Sequence, residues 1–243
     1  MRFVRCVKFY VAPGSYPHNV SADRALSIAV NETVRVSALL RAPADTRACY
    51  VLAHGAGAGM THPFIASVAD GLAQRRIATV RYQFPYMERG SKRPDAPALA
   101  HATVRAAVAE TARQLPQLPL IAGGKSFGGR MTSQAQASSP LPGVCGLAFL
   151  GFPLHPSKQP SVARAEHLRR VDVPMLFLQG TRDELAEFSL LQSVAESLGA
   201  LATLHAIAEV DHSFHVPARS GRKDADVLAE LLDVFAAWCG ELR

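Results

Sequence analysis

Leu118-Pro-Leu-Ile-Ala-Gly-Gly-Lys-Ser126-Phe-Gly-Gly-Arg130 decides the reading of this chain. Residues 118–122 are a short apolar run of the kind that makes a buried strand, and residues 130–137 return to a helical pattern. Between them lies Gly124-Lys125-Ser126-Phe127-Gly128, a G-x-S-x-G pentapeptide. A serine on so tight a strand-to-helix turn has a strained backbone, and bulky neighbours would collide there. Gly124 and Gly128 meet that need, and Gly123 and Gly129 extend the tolerance. The turn lifts the Ser126 hydroxyl to the carboxyl edge of a parallel sheet, where folds of this class meet their ligands.

On either side of this turn the chain alternates strand and helix. Residues 25–30 and 34–40 read as a hairpin, and residues 49–53 as a buried strand running into the loop His54-Gly-Ala-Gly-Ala-Gly59. Pro63 opens a helical pattern that returns Phe64, Val68, Leu72 and Ala73 to one face. A strand at 77–81 and a helix at 99–115 complete the first half. Strands at 144–150, 175–179 and 203–208, with helices at 189–198 and 224–239, make up the second. The pattern predicts one α/β domain over residues 25–243, with a mostly parallel central sheet of about seven or eight strands and helices on both faces. Residues 1–24 are expected to form an N-terminal extension. Residues 151–173, rich in Pro and basic side chains, read as a short cap-like insertion with a helix at 161–170.

Composition narrows the function classes. Hydrophobic residues make up 49% of the chain and charged ones only 19%, which supplies a sizeable core and argues against disorder. The formal charge of +6 would suit an anionic polymer, yet the arginines are scattered and no basic run interleaves with aromatics, so no nucleic-acid partner is expected. Cys6, Cys49, Cys145 and Cys239 are spread singly, with no CxxC pair and no histidine at ligand spacing. A reduced, cytoplasmic setting with no metal and no cofactor is therefore expected. The first ten residues are interrupted by charge and lack the apolar core of a signal peptide, and no later run approaches a membrane span. No membrane partner is expected, and the chain is silent on oligomeric state.

A serine hydroxyl needs a base, and the base needs an orienting acid. On this topology they follow the serine in the order acid, then histidine, on loops after later strands. Asp183 follows the apolar strand at 175–179 and a Gly-Thr turn; His212 follows the strand at 203–208. Glu184, Asp211 and His215 are the neighbouring rivals. Ser126, Asp183 and His212 are thus the candidate catalytic residues, an arrangement suited to acyl transfer. The oxyanion donors are expected to be the N–H of Phe127 and that of Ala56, with Gly55 and Gly57 as alternatives for the second. The glycine loop lacks both GK[ST] and the G-x-G-x-x-G spacing, so it carries no nucleotide fingerprint. His54 is expected to be a buried support for it. Loops at the carboxyl ends of strands nominate Met60, Tyr86 and His155 as pocket residues, with Tyr82, Phe84 and Lys125 beside them.

Taken together, His54-Gly-Ala-Gly-Ala-Gly-Met-Thr-His-Pro-Phe64, Arg81-Tyr-Gln-Phe-Pro-Tyr86, Gly123-Gly-Lys-Ser-Phe-Gly-Gly-Arg130, Gly151-Phe-Pro-Leu-His-Pro156, Gln179-Gly-Thr-Arg-Asp183 and Asp211-His-Ser-Phe214 resemble one group of proteins. These are the bacterial α/β-hydrolases in the family of the testis-expressed protein and a subunit of the nonspecific-lethal chromatin complex, a group itself similar to dienelactone hydrolases. The resemblance runs from about residue 27 to the C-terminus. It implies the α/β-hydrolase fold and carries the nucleophile onto Ser126, the acid onto Asp183 and the base onto His212. Dienelactone hydrolases use a cysteine nucleophile where this chain has Ser126, so that activity is not carried over. The expected function is a serine hydrolase acting on a small-molecule acyl substrate, a small or medium ester or thioester. A non-catalytic interaction domain and an acyltransferase are the alternatives.

Overall fold

The computed structural model describes residues 22–242, so nearly all of the expected extension at 1–24 lies outside the described residues. The strands are β1 (Arg24–Ala29), β2 (Arg35–Arg41), β3 (Ala48–Ala53), β4 (Ile77–Tyr82), β5 (Leu120–Lys125), β6 (Val144–Leu150), β7 (Met175–Gly180) and β8 (Ala202–Ile207). They form a single sheet in the order β1-β2-β4-β3-β5-β6-β7-β8. β2 runs antiparallel to both β1 and β4, and every other pairing is parallel. The β1–β2 turn is tied by Asn31, whose side-chain oxygen accepts from the N–H groups of Thr33 and Val34.

Six α-helices flank the sheet: α1 (Pro63–Gln74), α2 (Pro85–Glu88), α3 (Pro97–Gln114), α4 (Phe127–Ser138), α5 (Phe188–Leu198) and α6 (Asp224–Glu241). The two-residue alternation of a strand explains why both faces are covered. From β3, Cys49, Val51 and Ala53 enter one core with residues of α3 and α4, while Tyr50 and Leu52 enter the other with α1 and α6. β3 and β7 are buried along their whole length, whereas β8, at the edge, buries only Ile207.

Helix starts differ from the sequence expectation. α3 begins at Pro97, whose missing N–H and fixed φ suit a first turn. α4 begins at Phe127, directly after Ser126, because the strained residue itself terminates the turn. The helix expected at 161–170 is a 3₁₀ segment, Ala163–Arg170, which buries Ala165, His167 and Leu168. It packs against α4, where Ser133 Oγ meets His167 Nε2 at 2.8 Å, so this part of the cap-like stretch is clamped to the core. Ahead of it, Phe149, Phe152 and Phe177 form a ring cluster with centroids 4.9–5.8 Å apart. Each such pair adds about 0.5–1.5 kcal/mol beyond burial and anchors the chain as it leaves β6.

Because β3, β5, β6, β7 and β8 are parallel, the loops after their carboxyl ends converge on one edge. That convergence builds the site.

Candidate active site

Ser126 leaves β5 with φ +49° and ψ −116°, outside the region that side-chain-bearing residues favour. The strain is held by close contact with β3. A Cβ on Gly124 would lie 2.2 Å from the Ala53 carbonyl oxygen, and one on Gly128 would lie 2.5 Å from that of His54. The G-x-S-x-G spacing is thus a packing requirement between two strands and a helix.

The structure brings Ser126, Asp183 and His212 together. Ser126 Oγ donates to His212 Nε2 at 2.9 Å, and His212 Nδ1–H donates to Asp183 Oδ2 at 2.6 Å. The Asp183 side chain is 0% exposed. It remains an acceptor there because two further donors reach it: Gln179 Nε2 at 2.6 Å on Oδ2 and the Leu185 N–H at 2.8 Å on Oδ1. Gln179 also accepts from the Phe152 N–H at 2.8 Å. Gln179 is not among the residues expected from the sequence, although an amide closing the apolar run Met175-Leu-Phe-Leu is a signal for such a role.

The rivals sit elsewhere. Asp211 accepts from the N–H groups of Ser213 and His215 and so closes the turn that presents His212. Glu184 accepts from Ser157 at the surface. His215 is exposed and pairs with Asp224, whose carboxylate raises the imidazole pKa.

Among the described residues, neither the Phe127 N–H nor the Ala56 N–H reaches a protein acceptor. Gly57 is removed as an alternative, since its N–H donates to Tyr86 Oη at 3.1 Å. His54 is buried; its Nδ1–H donates to the Gly55 carbonyl at 2.7 Å and its Nε2 accepts from the Phe84 N–H at 3.2 Å. Burial lowers its pKa to about 4, so it stays neutral while bracing the loop.

The pocket expectation needs correction at two positions. Tyr86 is 0% exposed, packed against Phe127 with its hydroxyl accepting from the Gly57 N–H, and therefore supports the loop after β3. His155 is 3% exposed; its Nδ1–H donates to the Pro156 carbonyl and its Nε2 accepts from the Glu187 N–H, which splints the loop carrying Asp183. Tyr82 and Phe84 are likewise core. Met60 lies half-exposed on the loop after β3, its N–H held by Gln83. Lys125 turns away from the pocket: its ammonium donates to the His212 carbonyl at 2.5 Å. An open cleft of about 450 Å³ borders His212 and is walled by Arg182, Glu184, Leu185, Asp211, His215 and neighbours. Among the described residues, no cluster of His, Cys, Asp or Glu is placed to hold a metal ion.

This geometry coincides with similarity to known proteins. Residues 46–240 match the alpha/beta hydrolase domain family. The fold resembles a dienelactone hydrolase from Anabaena variabilis at TM-score 0.74 and 20% identity, covering 93% of this chain and 100% of that one. An α/β serine hydrolase without lid from Xanthomonas campestris superposes at TM-score 0.68 with 19% identity, covering 93% and 98%. A cold-adapted esterase from an Arctic intertidal metagenomic library gives TM-score 0.65 and 19% identity, covering 95% and 100%. At these identities the likeness speaks for the fold.

Proposed function

This chain belongs to the alpha/beta hydrolase domain family, and from that premise we propose that it is a serine hydrolase cleaving small or medium carboxylic esters or thioesters through an acyl-enzyme on Ser126. The observation that carries this reading is the continuous hydrogen-bond chain from Ser126 Oγ through His212 to a buried Asp183.

In this mechanism His212 Nε2 takes the Ser126 proton as Oγ attacks the substrate carbonyl carbon. Asp183 holds the imidazole in the Nδ1–H tautomer and stabilises the imidazolium. The Phe127 and Ala56 N–H groups receive the negative charge on the carbonyl oxygen. Collapse of the tetrahedral intermediate breaks the bond to the alcohol or thiol, which takes the proton from His212 Nε2. Water then repeats the sequence on the acyl-serine, with His212 as base, and releases the acid.

Within the family, the resemblance of the motif set supports grouping the chain with the bacterial relatives of the testis-expressed protein. A cytoplasmic setting and a small-molecule substrate, with no nucleic-acid or membrane partner, go with this reading. No helix among the described residues is long and apolar enough to cross a membrane. The short stretch after β6, with its 3₁₀ segment docked on α4, supports an uncovered pocket for short acyl groups. A p-nitrophenyl ester series tests this: turnover should peak at short or medium chains, and an optimum at long chains would overturn the size assignment.

A further inference from the structure

Lys125 precedes the nucleophile on β5, and its side chain runs past Gly55 to a slot that Gly151 keeps open. A Cβ on Gly55 would lie 3.4 Å from Lys125 Cγ. A Cβ on Gly151 would lie 3.1 Å from Lys125 Nζ and 3.5 Å from both Cε1 and Nδ1 of His212. The slot thus passes between the oxyanion loop and the loop after β6. It ends where Nζ donates to the His212 carbonyl oxygen at 2.5 Å, 5.1 Å from the centre of the Phe214 ring. Phe214 is stacked on Phe64 at 5.3 Å, which fixes the ring the ammonium faces.

We infer that Lys125 is a positioning residue for hydrolysis, its ammonium tying the His212 loop to the nucleophile strand so that the imidazole stays aligned on Ser126. The inference rests on the serine-hydrolase reading above. It follows from what a part-buried ammonium, held against a backbone carbonyl, does to a fold. Withdrawing a cation from water is unfavourable, and an apolar side chain of the same shape would be as stable or more so in that slot. Lys125 is therefore poorly explained as a stabilising residue. What it joins is the pair of elements whose relative placement sets the Ser126–His212 distance.

The charged groups facing it are Asp183 and Asp211, with the His212 imidazole alongside. Burial lowers the lysine pKa to about 8, and the two carboxylates partly offset the drop. The sign of the pH effect is then determined. Above about pH 8 the folded protein releases a proton that the unfolded chain keeps up to the ordinary lysine range. This group's contribution to stability therefore rises with pH there, while the tie on His212 weakens. Activity and stability should diverge above that point.

The test compares wild type with Lys125→Met and Lys125→Gln, measuring kcat and KM on a p-nitrophenyl ester from pH 6 to 10, thermal melting, and fluorophosphonate labelling. Lys125→Met should lower kcat about tenfold or more at pH 7, with KM within about twofold and melting unchanged or higher. It should also lose the decline in kcat above about pH 8 that wild type shows. Lys125→Gln, which keeps a donor without the charge, should recover part of kcat with no alkaline decline. Either variant turning over at the wild-type rate, or a wild-type rate flat through the alkaline range, would overturn the inference alone. A wild-type protein that fluorophosphonate does not label would instead remove the hydrolase reading, and the inference with it.

Discussion

Two serine–histidine pairs lie along α4, one just before its first residue and one within it, and their surroundings differ. Ser126 and His212 meet at 2.9 Å at the start of α4; Ser133 and His167 meet at 2.8 Å two turns further along. The second hydroxyl has a backbone acceptor of its own, the Arg130 carbonyl at 3.0 Å, which leaves His167 Nε2–H as donor to Ser133 Oγ. In that arrangement the imidazole takes no proton from the serine. Burial, with the charges of Arg130 and Arg170 and His101 near enough to add to it, lowers its pKa to about 4. Ser126 differs in each respect. Its hydroxyl hydrogen points at a basic nitrogen, an aspartate lies behind the ring, and a strained backbone turns it toward the substrate edge. A short Ser–His distance is thus no sign of a nucleophile; the direction of the hydrogens and the charge behind the ring decide.

The comparison breaks most severely at the acid. Asp183→Asn should lower kcat by about 10³–10⁴-fold with little change in folding, because an amide here favours the wrong imidazole tautomer. Steady-state kinetics beside a thermal melt check this, and a loss below tenfold would mean that the carboxylate does not set the tautomer. The buried pair predicts a smaller effect, on stability alone. His54 and His167 both titrate near pH 4 in the fold, below their ordinary value of 6.5. Between those pH values the unfolded chain binds protons that the fold refuses. Stability should then fall on acidification, by up to about 1.4 kcal/mol per pH unit for each histidine. His215, raised by Asp224, acts in the opposite direction, but that pair is exposed and screened by water. Denaturant melts at pH 7 and 5 should show the loss, and His167→Gln should reduce it by about half. The smallest effect is at Ser133, where alanine should cost about 1 kcal/mol of stability and leave kcat within about twofold.

Legibility along the chain followed the backbone more closely than the side chains. The eight-stranded, mostly parallel sheet was readable because apolar runs such as Leu147-Ala-Phe-Leu150 must be strands buried on both faces. Ser126 stood out because strain at a tight turn requires glycines at fixed offsets, and Asp183 and His212 because this topology places partners at strand ends. The residues behind them were harder to see. Gln179 acts through a contact four residues along a turn, and nothing local says that its amide reaches Asp183. Lys125 sits at the last position of β5, where strand alternation gives way to the elbow, so its destination depends on the space left at Gly151. Tyr86 and His155 lie on the right loops but are drawn inward by backbone groups that need partners.

The central claim is that Ser126 is an activated nucleophile, and intact-mass analysis after fluorophosphonate treatment tests it most directly. Wild type and Ser133→Ala should each gain one adduct, mapped by peptide sequencing to Ser126, while Ser126→Ala and His212→Ala should gain none. A folded wild-type protein that stays unmodified, or an adduct that survives in Ser126→Ala, would contradict the account.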